Sequence, residues 1–244
     1  MTVGQGDEVE LAGGNVGAVV RVGDTVRRTA GPWTPTIHAL LAWVRARGAS
    51  MVPVPLGIDD GGREVLSFLP GEVAGWPVPA WVWEPETAQA AGTMLRTWHD
   101  ATEGFALQDA TWRVPPRDPV EVVCLNDIAP YNMVHDGNRL VGLIDIDMAS
   151  PGPRVWDLAY LAYRICGWCE DMPAPTGSAP RAVRLDLLLD AYGRDAAPST
   201  TAVMSTMRQR LHDLADWTDE HARTTGATRL LEHAAMYRRD ATRL

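Results

Sequence analysis

The sequence predicts an α+β protein of two lobes, a small β-rich N-terminal lobe and a larger, mainly helical C-terminal lobe. Short β-branched segments separated by turn residues fill the first 68 residues. Helical periodicity dominates after residue 74, and a turn-like LPGEV segment separates the two regions. We therefore assign residues 1–68 to the N-terminal lobe, 69–73 to a hinge and 74–244 to the C-terminal lobe.

The elements of the N-terminal lobe begin with a hairpin. The segments AVVRV and TVRRT flank Gly23-Asp24, a glycine-first pair suited to a tight turn, and EVLSF is typical of a further strand. A helix is expected between them, because Thr34 can cap it, Pro35 suits its first turn and apolar residues then recur at helical spacing as far as Gly48.

The C-terminal lobe contains five predicted helices and one hairpin. The helices are TAQAAGTMLRTWHDA, VWDLAYLAYRICGWC, RAVRLDLLLDAYG and the segments 200–222 and 228–242. The hairpin is formed by NMVH and LVGLI around the turn DGN. A cleft between two lobes is a common place for a ligand.

Composition narrows the range of functions. The 244 residues include 22 basic and 31 acidic side chains, a net charge of −9, which argues against nucleic acid as a partner. No segment approaches about 18 uninterrupted apolar residues and MTVGQGDEVE lacks the features of a leader, so we expect a cytoplasmic protein without a membrane partner. We interpret CGWC as the end of an apolar helix, because no second cysteine pair completes a zinc site.

An acidic group in the stretch Val123–Leu161 has a spacing that chemistry can use. Asp127 is followed five residues later by Asn132, and Asp145 closes the LVGLI strand. A loop carboxylate and amide, together with a carboxylate delivered by a hairpin, can converge oxygen ligands on Mg²⁺. Asp127 would then be free to accept a proton from a substrate hydroxyl, which favours phosphoryl transfer.

The motifs LNDIAPYN, IDID and VWDLAY resemble those of the aminoglycoside phosphotransferase and choline kinase-like family, relatives of the protein kinases. This resemblance implies a bilobal protein kinase-like fold, Mg²⁺, ATP or GTP as the phosphate donor and a small-molecule alcohol as the acceptor. It makes Asp127 the catalytic base or hydroxyl-orienting group, Asn132 and Asp145 metal ligands, and Asp147 a candidate second-metal ligand. Asp157 would be structural, accepting backbone N–H bonds that hold the catalytic loop.

The resemblance also implies a nucleotide site in the N-terminal lobe. A glycine-rich loop over the phosphates would contain Gly13, Gly14, Asn15 and Gly17. The lobe has no lysine to contact the phosphates, so we expect Arg28 in that role, with Arg27 as the alternative. The backbone around Ser67 and Leu69 would meet the base.

Two features depart from the family pattern. Leu125 stands where the family has a histidine that supports the loop, so a catalytically weak or inactive nucleotide-binding pseudokinase is the alternative function. The helix that normally offers a glutamate to the lysine has no acid, and His38 is the nearest polar side chain on it, more in keeping with packing or a local hydrogen bond. A third alternative takes IDID as the DxD motif of a glycosyltransferase, which leaves Asp127 and Asn132 unexplained.

The acceptor is left open by the sequence. An antibiotic such as an aminoglycoside is one candidate, because two acidic clusters lie among the C-terminal helices and carboxylates can hold a polyamine. A solvated helix face is the more common use of such a pattern. The clusters consist of Glu170 and Asp171, and of Asp213, Asp216, Asp219 and Glu220.

Overall fold

The computed structural model describes residues 8–11, 19–137 and 139–244, and it confirms the two predicted lobes. The N-terminal lobe contains a five-stranded antiparallel sheet with the strand order β1-β2-β3-β5-β4. Its strands are β1 (Val9–Glu10), β2 (Val20–Val22), β3 (Thr25–Thr29), β4 (Pro55–Ile58) and β5 (Arg63–Ser67), and helix α1 (Thr34–Ala46) follows β3. The predicted hairpin turn is present, with Gly23 at a φ of +59° that glycine adopts without strain.

The C-terminal lobe is mainly helical. Its helices are α2 (Pro85–Thr102), α3 (Arg154–Ile165), α4 (Arg181–Tyr192), α5 (Thr200–Thr225) and α6 (Leu230–Thr242). Two antiparallel strand pairs lie among them, β6 (Val122–Cys124) with β9 (Ser150–Gly152) and β7 (Met133–Asp136) with β8 (Arg139–Leu143). None of the helices in the described ranges is both long enough and apolar enough to cross a membrane.

The prediction of one helix running through CGWC is wrong. Helix α3 ends at Ile165, Cys166 caps it, and Gly167 follows with a φ of +90°, which ends the helix because side chains rarely tolerate that conformation. Apolar periodicity continued past this point because the loop is itself buried. Cys166 and Cys169 are both buried and carry free thiols.

Helix α2 is central to the core and fixes the position of β6. The indole Nε1 of Trp98 donates to the carbonyl oxygen of Val123 at 2.7 Å, and both residues are buried. On its other side α2 packs closely on α4, since a Cβ at Gly92 would collide with the carbonyl oxygen of Leu188. These contacts hold the strand that leads into the loop of Asp127.

Arg184 lies on α4 and is fully buried. Its guanidinium donates to the carbonyl oxygens of Ile165 at 2.9 Å, Val82 at 2.9 Å and Trp83. The last two belong to the 3-10 turn Ala80–Trp83, which precedes α2. A single side chain thus satisfies backbone acceptors at the end of α3 and at the start of the lobe.

We expect Arg184→Ala to lower the free energy of unfolding by at least about 3 kcal/mol, because it leaves several buried carbonyl oxygens without a donor. Urea unfolding followed by circular dichroism measures this change. Arg208→Ala is the matched control, since Arg208 is exposed on α5, and it should change stability by no more than about 0.5 kcal/mol. Equal effects of the two substitutions would contradict the assigned role.

Candidate active site

Asp127 lies on the loop that follows β6, with two hydrogen-bond donors on its carboxylate. The hydroxyl of Tyr131 donates to Oδ1 at 2.6 Å, and Nδ2 of Asn132 donates to Oδ2 at 3.1 Å and to the Asp127 carbonyl oxygen at 2.9 Å. Burial raises the pKa of Asp127, against the lowering effect of the Tyr131 hydrogen bond. The side chain is therefore a fixed carboxylate whose proton affinity is increased.

The three proposed metal ligands come together near this loop. The amide N–H of Ile144 donates to the carbonyl oxygen of Asn132 at 3.0 Å, which ties the loop to the chain that leads from β8 to Asp145. The amide nitrogen of Asn132 is committed to Asp127, and its amide oxygen accepts no hydrogen bond from the described residues. Asp147 follows on the 3-10 turn Ile146–Met148. The hairpin thus brings the chain that carries these carboxylates next to the loop.

Arg28 contacts three carboxylates, one in its own lobe and two in the other. Its Nη1 donates to Oδ1 of Asp145 at 2.8 Å, its Nη2 donates to Asp147, and its Nε donates to Oε2 of Glu64 at 2.5 Å. Burial acts to lower the pKa of Arg28, but the charges of Asp147, Glu64 and Asp145 outweigh it and raise that pKa. The guanidinium is therefore fixed in the cleft as a permanent cation.

Glu64 is a site residue that sequence reasoning missed. It lies directly opposite Arg28 in the β3–β5 register, and its side chain is 1% exposed. His38 of α1 contributes a second partner, with Nε2 at 2.9 Å from Oε1 of Glu64. Burial acts to raise the pKa of Glu64, but the bonds to His38 and Arg28 outweigh it and lower that pKa. The family pattern has an acid on the helix to pair with the cation that contacts the phosphates. In this chain the acid that pairs with Arg28 is Glu64, on strand β5 next to β3.

The other residues predicted to bind the nucleotide do not join this cluster around Arg28. Arg27 lies on the opposite side of β3, where its Nη1 is 3.7 Å from Oδ2 of Asp59. The N–H of Ser67 donates to the carbonyl oxygen of Val54 at 2.9 Å inside the sheet, so it is not free to bind a base. Leu69 packs against Gly142 of β8. The predicted loop residues Gly13, Gly14, Asn15 and Gly17 lie outside the described residues.

The carboxylate of Asp157 at the start of α3 holds the chain immediately before Asp127. Its Oδ2 accepts the N–H of Leu125 at 2.6 Å, and its Oδ1 accepts the N–H of Asn126 at 2.9 Å. Asn126 has a φ of +62°, and its Nδ2 donates to Met148 O at 2.8 Å. The Leu125 side chain is buried in the core at 4% exposure. Side chains other than residue 125 therefore fix this part of the loop.

Arg210 of α5 supplies a further contact that the sequence did not reveal. Its guanidinium donates to the carbonyl oxygen of Asn126, and also to that of Trp156 at 2.9 Å. The side chain is buried, and burial lowers its pKa. In the sequence the one indication of a buried role for Arg210 is its helical spacing from the apolar residues Val203 and Met207, and that spacing does not identify its partner.

The acidic clusters among the C-terminal helices are matched by arginines. Each of the six carboxylates lies within 4 Å of a guanidinium nitrogen. The pairs are Glu170 with Arg239 and Arg243, Asp171 with Arg164, Asp213 with Arg117, Asp216 and Asp219 with Arg238, and Glu220 with Arg223. Most of these side chains are partly or well exposed, which is typical of a solvated charged surface.

His99 lies beneath the loop in a fully buried position. Its Nε2 is 3.2 Å from Oδ2 of Asp157 and its Nδ1 is 2.8 Å from the hydroxyl of Tyr192. Burial lowers the pKa of His99, although Asp157 opposes that shift. The folded protein therefore binds the proton less readily than the unfolded chain.

We expect the free energy of unfolding to fall as the pH falls below about 6.5, the ordinary pKa of histidine, because the unfolded chain then takes up a proton at His99 that the folded state resists. The slope from this one group approaches about 1.4 kcal/mol per pH unit. Urea unfolding from about pH 5 to 8 measures it. His99→Gln should flatten the profile, and an unchanged profile in that variant would contradict the assignment.

Three comparisons place the chain among known proteins. Residues 78–198 match the model of the phosphotransferase enzyme family. The chain is 34% identical over 229 residues to the trifolitoxin immunity protein of Rhizobium leguminosarum bv. trifolii, covering 89% of this chain and 86% of that protein. A relationship of this kind over nearly the whole length shows common membership of one family.

Solved structures confirm the predicted kinase-like fold. A choline/ethanolamine kinase family protein from Mesorhizobium loti has a TM-score of 0.68 at 17% identity, over 97% of this chain and 87% of that one. Amicoumacin kinase in complex with AMP-PNP, Ca²⁺ and Ami has a TM-score of 0.70 at 12% identity, over 96% and 87% of the two chains. The family model and the 34% identical relative agree with the two-lobed fold described above. This chain therefore belongs to the phosphotransferase enzyme family.

Proposed function

We propose that this protein is a Mg²⁺-dependent kinase that transfers the γ-phosphate of ATP or GTP to a hydroxyl of a small molecule. The observation that carries this proposal is that Arg28 reaches from the sheet to Asp145 and Asp147 of the other lobe, while the adjoining loop holds the amide of Asn132 against Asp127. Family membership supports the reaction type. The acceptor is addressed separately, because relatives in this fold act on different alcohols.

The residues present fit a magnesium ion. Oxygen atoms of Asp145 and Asp147 contact the same guanidinium, so the two carboxylates already converge within reach of one cation. The amide oxygen of Asn132 adds a neutral donor, and an all-oxygen set of this kind suits Mg²⁺. When bound, the ion would neutralise charge on the transferred phosphate.

The remaining side chains have separable tasks. Asp127 would accept a hydrogen bond from the acceptor hydroxyl and orient it for in-line attack, with its increased proton affinity favouring proton removal. Arg28 would contact the nucleotide phosphates, since its planar guanidinium can bind two oxygens at once. Asp157 and Arg210 would hold the loop in place through its backbone.

The printed name of the 34% identical relative suggests a biological setting. That protein is an immunity protein, and its name refers to trifolitoxin. We infer that this chain protects against a toxic small molecule, and that it does so by phosphorylating it, which is consistent with the antibiotic acceptor considered from the sequence. A nucleotide-binding pseudokinase is the alternative, favoured by Leu125 and by the arginine in place of lysine.

We expect Asp127→Asn to reduce phosphoryl transfer by at least about a thousandfold, because the amide keeps the shape of the side chain but cannot accept the hydroxyl proton. Transfer of radiolabelled γ-phosphate to a library of alcohols and antibiotics measures the rate, and calorimetry with Mg-AMP-PNP checks that nucleotide binding persists.

Asp136→Asn is the matched control for that experiment, since Asp136 is an exposed aspartate at the end of β7. It should leave the transfer rate unchanged. Equal rates for the wild type and the Asp127 variant would remove Asp127 from the mechanism, whereas nucleotide binding without transfer to any acceptor would favour the pseudokinase.

We expect Arg28→Gln to weaken Mg-ATP or Mg-GTP binding by about tenfold or more, because a charge-assisted contact to phosphate is lost. Arg27→Gln is the matched control on the opposite face of the same strand, and it should change affinity by no more than about twofold. Equilibrium binding of a fluorescent nucleotide measures both constants.

The conservative variant Arg28→Lys separates nucleotide binding from folding. It keeps a cation among the three carboxylates and restores the residue type of the family, so we expect it to bind nucleotide better than the glutamine variant. If Arg27→Gln were the more damaging of the two glutamine substitutions, the phosphate contact would have to be reassigned to Arg27.

A further inference from the structure

We infer that the acceptor carries a carboxylate group, which Arg164 binds beside Asp127 while the acceptor hydroxyl meets Asp127. This inference rests on the proposed kinase function and names the substrate class of the same site. The guanidinium of Arg164 is buried and has unused donors, the side chains around it include neutral groups, and the surface acids are paired with arginines.

Arg164 shares one face of α3 with two residues already placed at the site. Asp157, Tyr160 and Arg164 recur at spacings of three and four residues, so successive turns of the helix present them on the same side. Asp157 holds the backbone before Asp127, and the hydroxyl of Tyr160 is 3.1 Å from that of Tyr131, which itself donates to Asp127. The third turn of this face therefore brings Arg164 to the acceptor side of the base.

The guanidinium of Arg164 is buried near two aromatic rings. The residue is 8% exposed, and its Cζ lies 5.5 Å from the ring centroid of Tyr131 and 5.8 Å from that of Tyr163. Aromatic faces of this kind favour a cation and hold its plane in a defined orientation. The rings thus offset part of the cost of burying the charge without occupying the N–H groups of the guanidinium.

The hydrogen bonds of Arg164 are incomplete. Its Nη1 donates to Sγ of Cys169 at 3.2 Å and lies 3.7 Å from Oδ1 of Asp171, a half-exposed carboxylate. Its Nε is buried, and neither Nε nor Nη2 donates to any residue that the structure describes. Nε and Nη2 form one edge of the guanidinium, with two parallel N–H groups that match the two oxygens of a carboxylate.

The neighbouring groups do not supply that anion. Burial raises the pKa of Tyr160, and burial likewise raises the pKa of Cys169 to about 12. Both side chains are therefore uncharged at physiological pH. Among the described residues, Asp171 is the one carboxylate within 4 Å of a nitrogen of Arg164, and their separation of 3.7 Å is long for an ion pair.

The surface charges of the C-terminal helices also favour an anionic acceptor over a cationic one. The carboxylates among the C-terminal helices that might bind a polycation are matched by arginines, such as Glu170 by Arg239 and Asp219 by Arg238. A polyamine would have to displace these ion pairs. An acceptor with a carboxylate would instead complete the bonding of a buried cation that is already in position.

The test uses pairs of hydroxyl compounds that differ only in charge. N-acetylserine, N-acetylhomoserine and 3-hydroxybutyrate are each compared with the corresponding primary amide, and choline and kanamycin serve as cations. KM and kcat for phosphoryl transfer are measured with Mg-ATP and Mg-GTP, and binding is measured separately by calorimetry in the presence of Mg-AMP-PNP. For at least one pair we expect the carboxylate to have a KM about tenfold or more below that of its amide, with similar kcat.

Variants then assign the preference to Arg164. Arg164→Gln should remove the ratio of KM between carboxylate and amide, and Arg164→Lys should retain only part of it, because an ammonium lacks the paired edge. Since the ratio is taken within each variant, a reduced folded fraction cancels. Arg208→Gln is the matched control and should leave the ratio unchanged.

The outcomes separate this inference from the kinase proposal. Absence of transfer to every compound together with absence of Mg-nucleotide binding would overturn the kinase function, while the calorimetric arm would still show whether carboxylates bind through Arg164. The inference itself is overturned if no carboxylate binds or reacts, if the cations are preferred, if a phosphate-bearing analogue such as O-phosphohomoserine alone binds, or if Arg164→Gln keeps the ratio.

Discussion

The site is organised by an imbalance of charge around Arg28. One guanidinium contacts Glu64 from its own sheet and Asp145 and Asp147 from the other lobe. Arg113 adds a second cation, with Nη1 at 3.7 Å from Oδ2 of Asp147, so carboxylates still outnumber guanidinium groups here. Carboxylates in a partly buried cleft repel one another unless cations offset them. These ion pairs link the lobes, and the excess of negative charge is consistent with the proposed binding of a divalent cation. Such a cation would neutralise the carboxylates of the C-terminal lobe and would leave the guanidinium of Arg28 available to phosphate oxygens.

The loop of Asp127 keeps a defined conformation although residue 125 departs from the family pattern. Asn126 and Asp145 both adopt positive φ values, 62° and 57°, on the two sides of the site. Such conformations are unfavourable for residues with side chains, although asparagine and aspartate tolerate them best, and they persist where surrounding contacts fix them. Asp157 and Arg210 provide those contacts through backbone atoms. Because backbone hydrogen bonds do not depend on residue 125, leucine there can join the core.

The sequence predicted local features well and long-range pairings poorly. The lobes and the hairpins follow from periodicity, turn residues and spacing, which act over a few residues. The pairing of Arg28 with Glu64 depends on strand register, and Arg210 and Asn126 lie 84 residues apart in the chain. Neither is encoded in a local pattern. The end of α3 was missed for a related reason, since a buried loop after Gly167 is as apolar as a buried helix.

Three buried arginines in the C-terminal lobe show what distinguishes a structural cation from one that awaits a ligand. Arg184 and Arg210 direct their donors to backbone carbonyl oxygens, and burial lowers the pKa of each. Their positions are explained by the acceptors that they satisfy. Arg164 is also buried, yet two of its nitrogens have no partner among the described residues, and one of the rings that it contacts, that of Tyr131, lies beside Asp127. Because burying a cation with unused donors costs stability, a binding role explains Arg164 where a packing role does not.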